Sequence, residues 1–439
     1  MRELLISAFV LVVSLVPVSE ARALILRNCA DEADPPYDIV CPAVDIDGHV
    51  DDVYEPGTTP SSFRGVGDPS MRKDPLHDEI YMTYTYPFIN TPGGTLIMGT
   101  KINYATSEDG GDTWDLVGTL WDPVSDVITV HYEVSESTEE FPGYWNSEVS
   151  NVVPIPFWGS TYWIGARLAW FLDVDNTYEN IASSSWRLLI SKSTANNFAS
   201  LSTAASQSLV GSLAPESADP ENDVWIEWPS FDVNLSALDE DVGHCDFWGE
   251  PALRWESPWL YLVLRCFAYD LVGEENVWDS EGSSLYVFRT DDVAQSVTNW
   301  SWSYVGKLAG QDEADELTPN TEGEKNFNQV DIFEDSTGDL LAVVTPVVHD
   351  DQYNSEIHLG CQIVEIDPLA TPGFSRNFLG FLKVRVGLGD TTDGGPNALP
   401  TGPGGCTYDP DSSTGVLSIQ RIITPTTFEV HLRKTDIDP

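Results

Sequence analysis

The sequence predicts an all-β fold, and within that class a five-bladed β-propeller. From residue 63 onward, strand-like apolar runs alternate with turns rich in Gly, Pro, Asp, Asn and Ser, and long helical periodicity is absent. The runs fall into five successive units, and four of these units begin with an acidic residue. Self-similar β units of this size are typical of propellers, in which each unit forms a four-stranded blade.

The acidic unit starts are Asp68, Glu148, Glu250 and Asp331, separated by 80, 102 and 81 residues. A fifth start lies at residues 405–408 and leads into a short last unit. We expect a strand from the N-terminal leader to complete that unit. The second unit is the longest and leaves room for an inserted lid. A pair of β-sandwiches is the alternative architecture that the strand pattern alone leaves open.

Three segments are predicted along the chain. Residues 1–23 have the features of a secretory signal peptide, because an apolar stretch follows Arg2 and small residues stand at the cleavage position. That stretch is shorter than the ~20 residues that a membrane-spanning helix needs. An irregular leader is expected over residues 24–62 and one propeller domain over residues 63–439. The protein is therefore expected to be secreted or periplasmic.

The charge balance limits the partners. The chain has 70 acidic and 21 basic residues, which gives a formal charge of −49. Such a chain repels nucleic acid and anionic membranes, so neither is expected as a partner. Hydrophobic residues make up 41% of the sequence, with 15 tryptophans, which predicts a folded protein with a substantial core. No segment after the signal is apolar enough to span a membrane. The oligomeric state is left open.

Six cysteines in an exported chain predict three disulfides. The pairing we predict closes local loops or joins neighbouring units: Cys29–Cys41, Cys245–Cys266 and Cys361–Cys406. No metal site is expected, since the sequence has neither a Cys-x-x-Cys pair nor a His-x-x-x-His pair. The acidic turn at residues 45–52 has part of the oxygen spacing of a calcium loop but lacks its distal Glu, so a structural calcium remains an open alternative.

A turn motif occupies residues 107–114, Ser-Glu-Asp-Gly-Gly-Asp-Thr-Trp. We predict a β-turn in which Asp109 accepts hydrogen bonds from turn amides, Gly111 adopts positive φ and Trp114 packs beneath the blade. The motif resembles the Asp box of sialidases and related propellers at every defined position. This resemblance adds a six-bladed sialidase-like propeller as an alternative fold. Asp109 is predicted to be structural.

The acidic unit starts also predict chemistry. In a propeller the first strand of each blade lines the central channel, so residues at matching starts converge. Two carboxylates in different protonation states are what cleavage of a glycosidic bond requires. The steps Asp68-Pro69 and Glu250-Pro251, with an acid in the second unit, resemble the five-bladed glycoside hydrolases of families 43 and 32.

That resemblance implies a role for each acid. Asp68 would be the base, Glu148 would tune or orient, and Glu250 would be the general acid. We predict an inverting hydrolase of poly- or oligosaccharides, in which the acid and base lie about 6.5–9.5 Å apart. The expected partner is a carbohydrate, and no cofactor is expected.

Substrate-binding residues are predicted around these acids, because aromatic rings stack on sugars and arginines bind anionic groups. They are Arg64, Trp145, Arg167, Trp248, Arg254 and Asp331. A sialidase-like enzyme is one alternative, in which Arg64 is joined by arginines chosen from Arg167, Arg254 and Arg265. The other alternative is a non-catalytic extracellular propeller that binds glycan or protein through its tryptophans.

Overall fold

The structure is a computed structural model of the 439-residue chain. It describes residues 44, 46–48, 63–90, 97–132, 137–173, 185–212, 224–227, 232–272, 275–319, 321–350, 355–388, 399–412, 415–424 and 427–434. The predicted signal peptide, most of the predicted leader and the predicted Cys29–Cys41 disulfide lie outside these residues. So does most of the calcium-like turn at residues 45–52.

The described residues are mainly β-strands. The strands of the first half of the chain are β1 (Ile46–Asp47), β2 (Phe63–Gly65), β3 (Gly67–Lys73), β4 (Ile80–Asn90), β5 (Ile97–Ser107), β6 (Trp114–Trp121), β7 (Val124–Tyr132), β8 (Ser137–Phe157), β9 (Ser160–Asp173), β10 (Trp186–Lys192), β11 (Ser206–Gly211) and β12 (Val224–Glu227). Those of the second half are β13 (Phe247–Glu256), β14 (Trp259–Val272), β15 (Glu275–Thr290), β16 (Ser303–Ala309), β17 (Lys325–Glu334), β18 (Leu340–Asp350), β19 (Ser355–His358), β20 (Cys361–Glu365), β21 (Val384–Leu388), β22 (Leu399–Thr407), β23 (Leu417–Thr424) and β24 (Thr427–Lys434). A short α-helix, α1 (Gln311–Leu317), follows β16.

These strands form five sheets in the described part of the chain. Sheet 1 has the order β1-β6-β5-β4-β3, and sheet 2 has the order β11-β10-β9-β8-β7-β12. Sheet 3 is β13-β14-β15-β16, sheet 4 is β17-β18-β20-β21 with β19 beside β18, and sheet 5 is β2-β24-β23-β22. Most of the pairing joins consecutive antiparallel strands, as expected for blades built from local meanders.

One strand of each sheet, called here its first strand, belongs to a closed ring, which is the arrangement of a β-propeller. β3 contacts β8, β8 contacts β13, β13 contacts β17, β17 contacts β22, and β22 returns to β3. Hydrophobic clusters fill the spaces between successive sheets, including the space between sheet 5 and sheet 1. The core is therefore distributed around the ring, and the all-β propeller predicted from the sequence is confirmed.

Sheet 2 has two more strands than a four-stranded blade. β8 pairs with β9 through residues 143–157, while its first half pairs with β7 through residues 137–145. β12 then adds to the free edge of β7. Of these two added strands, β12 lies within the long second unit, whereas β7 precedes Glu148, where that unit begins.

The last sheet is completed by a strand from the N-terminal side of sheet 1. β2 pairs in parallel with β24, with Phe63 opposite Phe428 and Gly65 opposite Val430. The closing strand thus lies at the first residues of the predicted propeller domain, just after the predicted leader. From the leader itself, β1 pairs in parallel with β6 in sheet 1.

Two predicted disulfides are confirmed. Cys245–Cys266 lies within sheet 3, and Cys361–Cys406 links sheet 4 to sheet 5. His244 lies beside the first of these bonds and could otherwise form a metal-ligand group with its two sulfurs. Because those sulfurs form a disulfide, they are not available as thiolate ligands.

The turn at residues 107–114 has the predicted hydrogen bonds. Asp109 accepts from the Thr113 amide (3.0 Å) and hydroxyl (2.7 Å), and Gly111 has a φ of 96°. These bonds hold the pKa of Asp109 below its usual range. Trp114 is buried between sheets 1 and 5. Asp109 therefore has a structural role in the turn.

Within the described residues, no helix combines the length and apolar character required to cross a membrane.

Candidate functional site

Each first strand of a sheet contains a β-bulge at the same level of the ring. The strand partners shift register between the following pairs of residues: Gly67 and Ser70, Glu148 and Ser150, Gly249 and Ala252, Phe327 and Val330, and Gly404 and Thr407. A bulge inserts one unpaired residue and re-aims the side chains around it. The five bulges are the structural repeat that relates the sheets.

Two of the predicted acids occupy the strained position of their bulge. Asp68 has a φ of 47° and Glu250 a φ of 50°. Val149, with a φ of 43°, occupies this position in sheet 2, so Glu148 lies one residue before it. Positive φ is uncommon outside glycine, and such conformations cluster at functional sites. The Asp-Pro and Glu-Pro steps are therefore structurally equivalent, whereas Glu148 is displaced by one residue.

The structure brings Asp68, Glu148 and Glu250 together. Repulsion from the Asp68 carboxylate contributes to a raised pKa at both Glu148 and Glu250, and Glu148 in turn contributes to the raised pKa of Glu250. The three acids come from the first strands of sheets 1, 2 and 3. Carboxylates that influence one another in this way share one electrostatic environment.

Glu148 is held in place by two donors. Its Oε2 accepts a hydrogen bond from Trp170 Nε1 (3.0 Å) and a longer one from Thr100 Oγ1 (3.5 Å). Burial, followed by repulsion from Asp68, raises the pKa of Glu148 to about 7, although both hydrogen bonds oppose that shift. Glu148 is therefore partly protonated near neutral pH. No local motif marks Thr100 and Trp170, which lie on β5 and β9 and donate these two hydrogen bonds.

Glu250 lacks the hydrogen bonds that Glu148 has. Its Oε2 is buried and has no hydrogen-bond partner within the described structure. Burial first, and then repulsion from Asp68, raises its pKa well above the usual range. The guanidinium of Arg265 opposes the shift, while Glu148 and Glu356 add to it. A carboxylic acid with a raised pKa keeps its proton to higher pH than an ordinary carboxyl group does, and it can donate that proton.

Arg265 is completely buried and forms a two-pronged ion pair with Glu356. Its guanidinium also stacks on the ring of Phe267, 3.7 Å from the centroid. Asn328 donates a further hydrogen bond to Glu356 (3.0 Å). Since Glu356 neutralises most of the charge of Arg265, this arginine moderates the pKa of Glu250 without suppressing it. Glu356 lies on β19, and no local sequence motif marks it.

Asp331, which was predicted to bind substrate, lies in a buried cluster of its own and not with the three acids. It lies after the bulge of β17, not within it, and only 2% of its surface is exposed. Both of its oxygens are bonded to Arg72, and it also accepts from Asn151 Nδ2 (3.2 Å) and Thr407 Oγ1 (2.6 Å). These partners lie on β3, β8 and β22, so Asp331 joins four first strands of the ring.

The two tryptophans that were predicted to bind substrate, Trp248 and Trp145, both pack inside the protein. The side chain of Trp248 is fully buried between sheets 2 and 3, and its Nε1 donates to Ser236 Oγ (2.8 Å). Trp145 is buried too, with Arg187 stacked 3.7 Å above the centroid of its ring. Trp145 also lines a cavity between sheets 1 and 2. Stacking of either tryptophan on a sugar stays a prediction.

The predicted arginines lie in different environments. Arg254 pairs with Glu334 (2.6 Å), which ties sheet 3 to sheet 4. Arg167 lies in a cavity between sheets 1 and 2, away from Arg265 and its partner Glu356. Arg64 lies in β2 opposite Glu429, and its side chain is outside the described part of the structure. These separate environments give no support to a cluster of three arginines of the sialidase kind.

No family model matches this sequence, and no curated protein matches it. Among solved structures, the chain is similar to an endo-arabinase from Bacteroides thetaiotaomicron at 14% identity, with a TM-score of 0.40 and coverage of 84% of this chain and 93% of that one. It is also similar to a family 32 glycoside hydrolase from Bifidobacterium adolescentis, at 11% identity and a TM-score of 0.42, covering 88% of this chain and 56% of that one. A family 117 glycoside hydrolase from Zobellia galactanivorans has 12% identity and a TM-score of 0.35, with coverage of 85% and 86%. No activity follows for this chain from likenesses of this size.

Proposed function

We propose that this protein is a secreted glycoside hydrolase that acts on a poly- or oligosaccharide through Asp68, Glu148 and Glu250. We further propose that its five sheets are five blades and that the three acids face the mouth of the shared channel. The observation that carries this proposal is the electrostatic coupling of three acids that come from three successive first strands. Two of these acids, Glu148 and Glu250, have raised pKa values.

In this mechanism Glu250 is the general acid. Because its raised pKa keeps it protonated, it donates a proton to the glycosidic oxygen as the bond to the anomeric carbon breaks. Asp68 is the base and takes a proton from the water that attacks the anomeric carbon from the opposite face. The products are two sugars, one with an inverted anomeric centre. Charge on Glu148 helps to keep the pKa of Glu250 high.

The test compares Glu250→Gln with Glu256→Gln. Both replacements remove one carboxylate from β13, but Glu256 belongs to a different group of charges, with Arg254 and Glu334. Release of reducing ends is measured on a panel of neutral and acidic polysaccharides. We expect Glu250→Gln to lose about 10²–10⁴-fold in kcat, because general acid catalysis contributes that much. Glu256→Gln should retain wild-type activity.

Two outcomes would overturn the proposal. One is a Glu250→Gln variant as active as the wild type, and the other is a folded wild-type protein that cleaves none of the polysaccharides. Proton NMR of the first product reports whether the anomeric configuration is inverted. The pH profile provides a second check, since kcat/KM should fall as rising pH removes the proton from Glu250.

A non-catalytic binding propeller is the second candidate, and one surface feature favours it. Phe157 and Trp158 stack with their ring centroids 4.8 Å apart at the turn between β8 and β9, and Trp158 is 93% exposed. Exposed stacked aromatics are suited to binding a sugar face or a protein. Binding that is lost in Trp158→Ala and kept in Glu250→Gln, without hydrolysis in either, would favour this candidate.

A further inference from the structure

A cavity of about 750 Å³ lies between sheets 1 and 2, separate from the group of Asp68, Glu148 and Glu250. None of those three acids lines it. Its walls come from β6 and the turn that follows, and from β8, β9, β10 and β11. The mechanism proposed above does not use this space.

Two arginines without ion-pair partners lie in the walls of this cavity. Within the described residues, neither Arg167 nor Arg187 forms a salt bridge, and the Nε atom of each is buried without a hydrogen-bond partner. Burial, and then the proximity of Arg187, lowers the pKa of Arg167 to about 9. Two neighbouring cations in a partly buried place repel each other, and an anion between them would remove that cost.

The missing partners stand out because other arginines of this chain have them. Carboxylates pair with the following arginines: Arg72, Arg254, Arg265, Arg376 and Arg385. With 70 acidic residues against 21 basic ones, the chain does not lack carboxylates. Within the described residues, Arg289 also lacks an ion pair, and it stacks on Trp259 outside this cavity. What distinguishes Arg167 and Arg187 is that two such arginines lie close enough to influence each other in the walls of one cavity.

Both guanidinium groups are positioned on aromatic rings. Arg187 lies 3.7 Å from the ring centroid of Trp145, and Arg167 lies 4.6 Å from that of Trp121. Arg167 Nη1 also donates to Ser191 Oγ (3.2 Å). Stacking fixes the plane of a guanidinium and leaves its edge free to donate two parallel hydrogen bonds to an oxyanion. The buried Ser208 hydroxyl in the same cavity has no partner either.

Three carboxylates also line the cavity, and all three are exposed and engaged. Asp126 accepts from Trp145 Nε1 (2.9 Å), and Asp232 accepts from the Ser208 amide (2.9 Å). Asp122 lies 3.9 Å from Lys101. An anion in the cavity thus meets cations in the walls and acidic groups toward solvent. The acidic groups are suited to accept hydrogen bonds from sugar hydroxyls.

We propose that this cavity binds the anionic group, a carboxylate or a sulfate ester, of an acidic carbohydrate, with Arg167 and Arg187 as its ligands. The assignment of an oxyanion rests on the cavity itself. The assignment of a sugar as its carrier rests on the proposed function. The site would make the protein selective for polysaccharides with charged residues.

Binding is measured by calorimetry with four probes: galacturonic acid, galactose 6-sulfate, inorganic sulfate and galactose. We expect the wild type to bind at least one of the two charged sugars more tightly than galactose. Arg167→Gln and Arg187→Gln should each weaken that binding about tenfold or more, because each removes hydrogen bonds from a charged donor. Arg385→Gln, which removes a cation from sheet 4, is the matched control and should bind as the wild type does.

The probes distinguish the sources of the anion. Preference for galacturonic acid assigns a carboxylate, and preference for galactose 6-sulfate assigns a sulfate ester. A third outcome is that only inorganic sulfate raises the melting temperature of the wild type and that it does not raise that of Arg187→Gln. This result would support an oxyanion site and overturn the assignment of a sugar as the carrier of the anion. Equal binding of galactose, or unchanged binding in the arginine variants, overturns the site itself.

Two further variants keep the result interpretable. Arg187→Lys retains the charge without the planar fork, so a folded protein with intermediate affinity is expected. Glu250→Gln should bind the charged sugar like the wild type, because Glu250 does not line the cavity. Intact binding of the charged sugar by a wild-type protein that hydrolyses no polysaccharide would refute the proposed enzyme and leave the oxyanion site standing.

Discussion

At the scale of single residues, the carboxylates of this chain fall into two groups. Asp109 and Asp335 lie in exposed turns, where hydrogen bonds from their neighbours lower the pKa. The pKa values of Glu148 and Glu250 are raised by burial and by repulsion from Asp68. The negative charge of an acid in such a turn stabilises the folded protein, whereas the negative charge of Glu148 or Glu250 destabilises it. An arrangement that costs stability and positions protonated acids is typical of an active site.

Glu148 provides a direct test of that cost. Its pKa in the folded protein, about 7, lies above the ordinary value of 4.5. The stability associated with its proton is thus fully present below about pH 4.5 and is lost as the pH rises through 7. Glu148→Gln should therefore stabilise the protein by ~1–3 kcal/mol at pH 8 and much less at pH 4.

Urea unfolding at the two pH values measures this difference. Glu140→Gln, an exposed position on the same strand, changes the formal charge equally and should leave stability within about 0.5 kcal/mol at both pH values. A Glu148→Gln variant that is less stable than the wild type at pH 8 would show that Glu148 is a structural anion.

At the scale of the strand, the acid-proline steps singled out in the sequence coincide with two of the five bulges. Asp68-Pro69 and Glu250-Pro251 were recognisable because an acid precedes a proline and a strand-like run. The bulge of β17, at Asn328 and Gln329, contains no acid. The repeat spacing therefore indicates Asp331, the next carboxylate along the chain, as the fourth unit start. In a chain with 70 acidic residues, an acid near a strand start is only weak evidence for a site residue.

Contacts between distant strands explain what the sequence could not predict. Asp331 meets Arg72 across 259 residues, and Glu356 meets Arg265 across 91 residues. Neither pair has a local pattern, because both partners come together only when the ring closes. Burial of Trp248 could not be inferred either, since an interior tryptophan and a sugar-binding one look alike in a strand that alternates polar and apolar residues.

Asp331 leads to a prediction about the ring of first strands. Asp331→Ala would leave Arg72 buried without its partner and remove the links to Asn151 and Thr407. We expect a loss of about 3–5 kcal/mol in the free energy of unfolding, as is usual when one member of a buried ion pair is removed.

The matched variant is Glu334→Ala, which removes an exposed acid from the same strand and its ion pair with Arg254. It should cost no more than about 1 kcal/mol. Guanidinium denaturation of both variants measures the difference. Equal losses in the two would show that the Asp331 cluster does not hold the ring together.

At the scale of the whole molecule, closure of the ring depends on contacts that are distant in sequence. β2 pairs with β24, so the two ends of the described propeller share one sheet. A hydrophobic cluster that includes Met71 and Leu417 joins sheets 5 and 1. The same closure brings the first strands together, and with them Asp68, Glu148 and Glu250. The site therefore depends on the integrity of the ring.

The two disulfides should contribute unequally to that integrity. Cys361–Cys406 spans 45 residues and links two sheets, whereas Cys245–Cys266 spans 21 residues within one sheet. In the chain-entropy model the longer loop stabilises by about 4 kcal/mol and the shorter by about 3 kcal/mol. Replacing both cysteines of each pair by serine should therefore lower the free energy of unfolding in that order, as measured by urea unfolding under oxidising conditions.

Hydrolytic activity at 25 °C should survive in both variants, while its half-life on heating should fall further without Cys361–Cys406. A greater loss on removing Cys245–Cys266 would mean that the link between sheets 4 and 5 is maintained by packing alone.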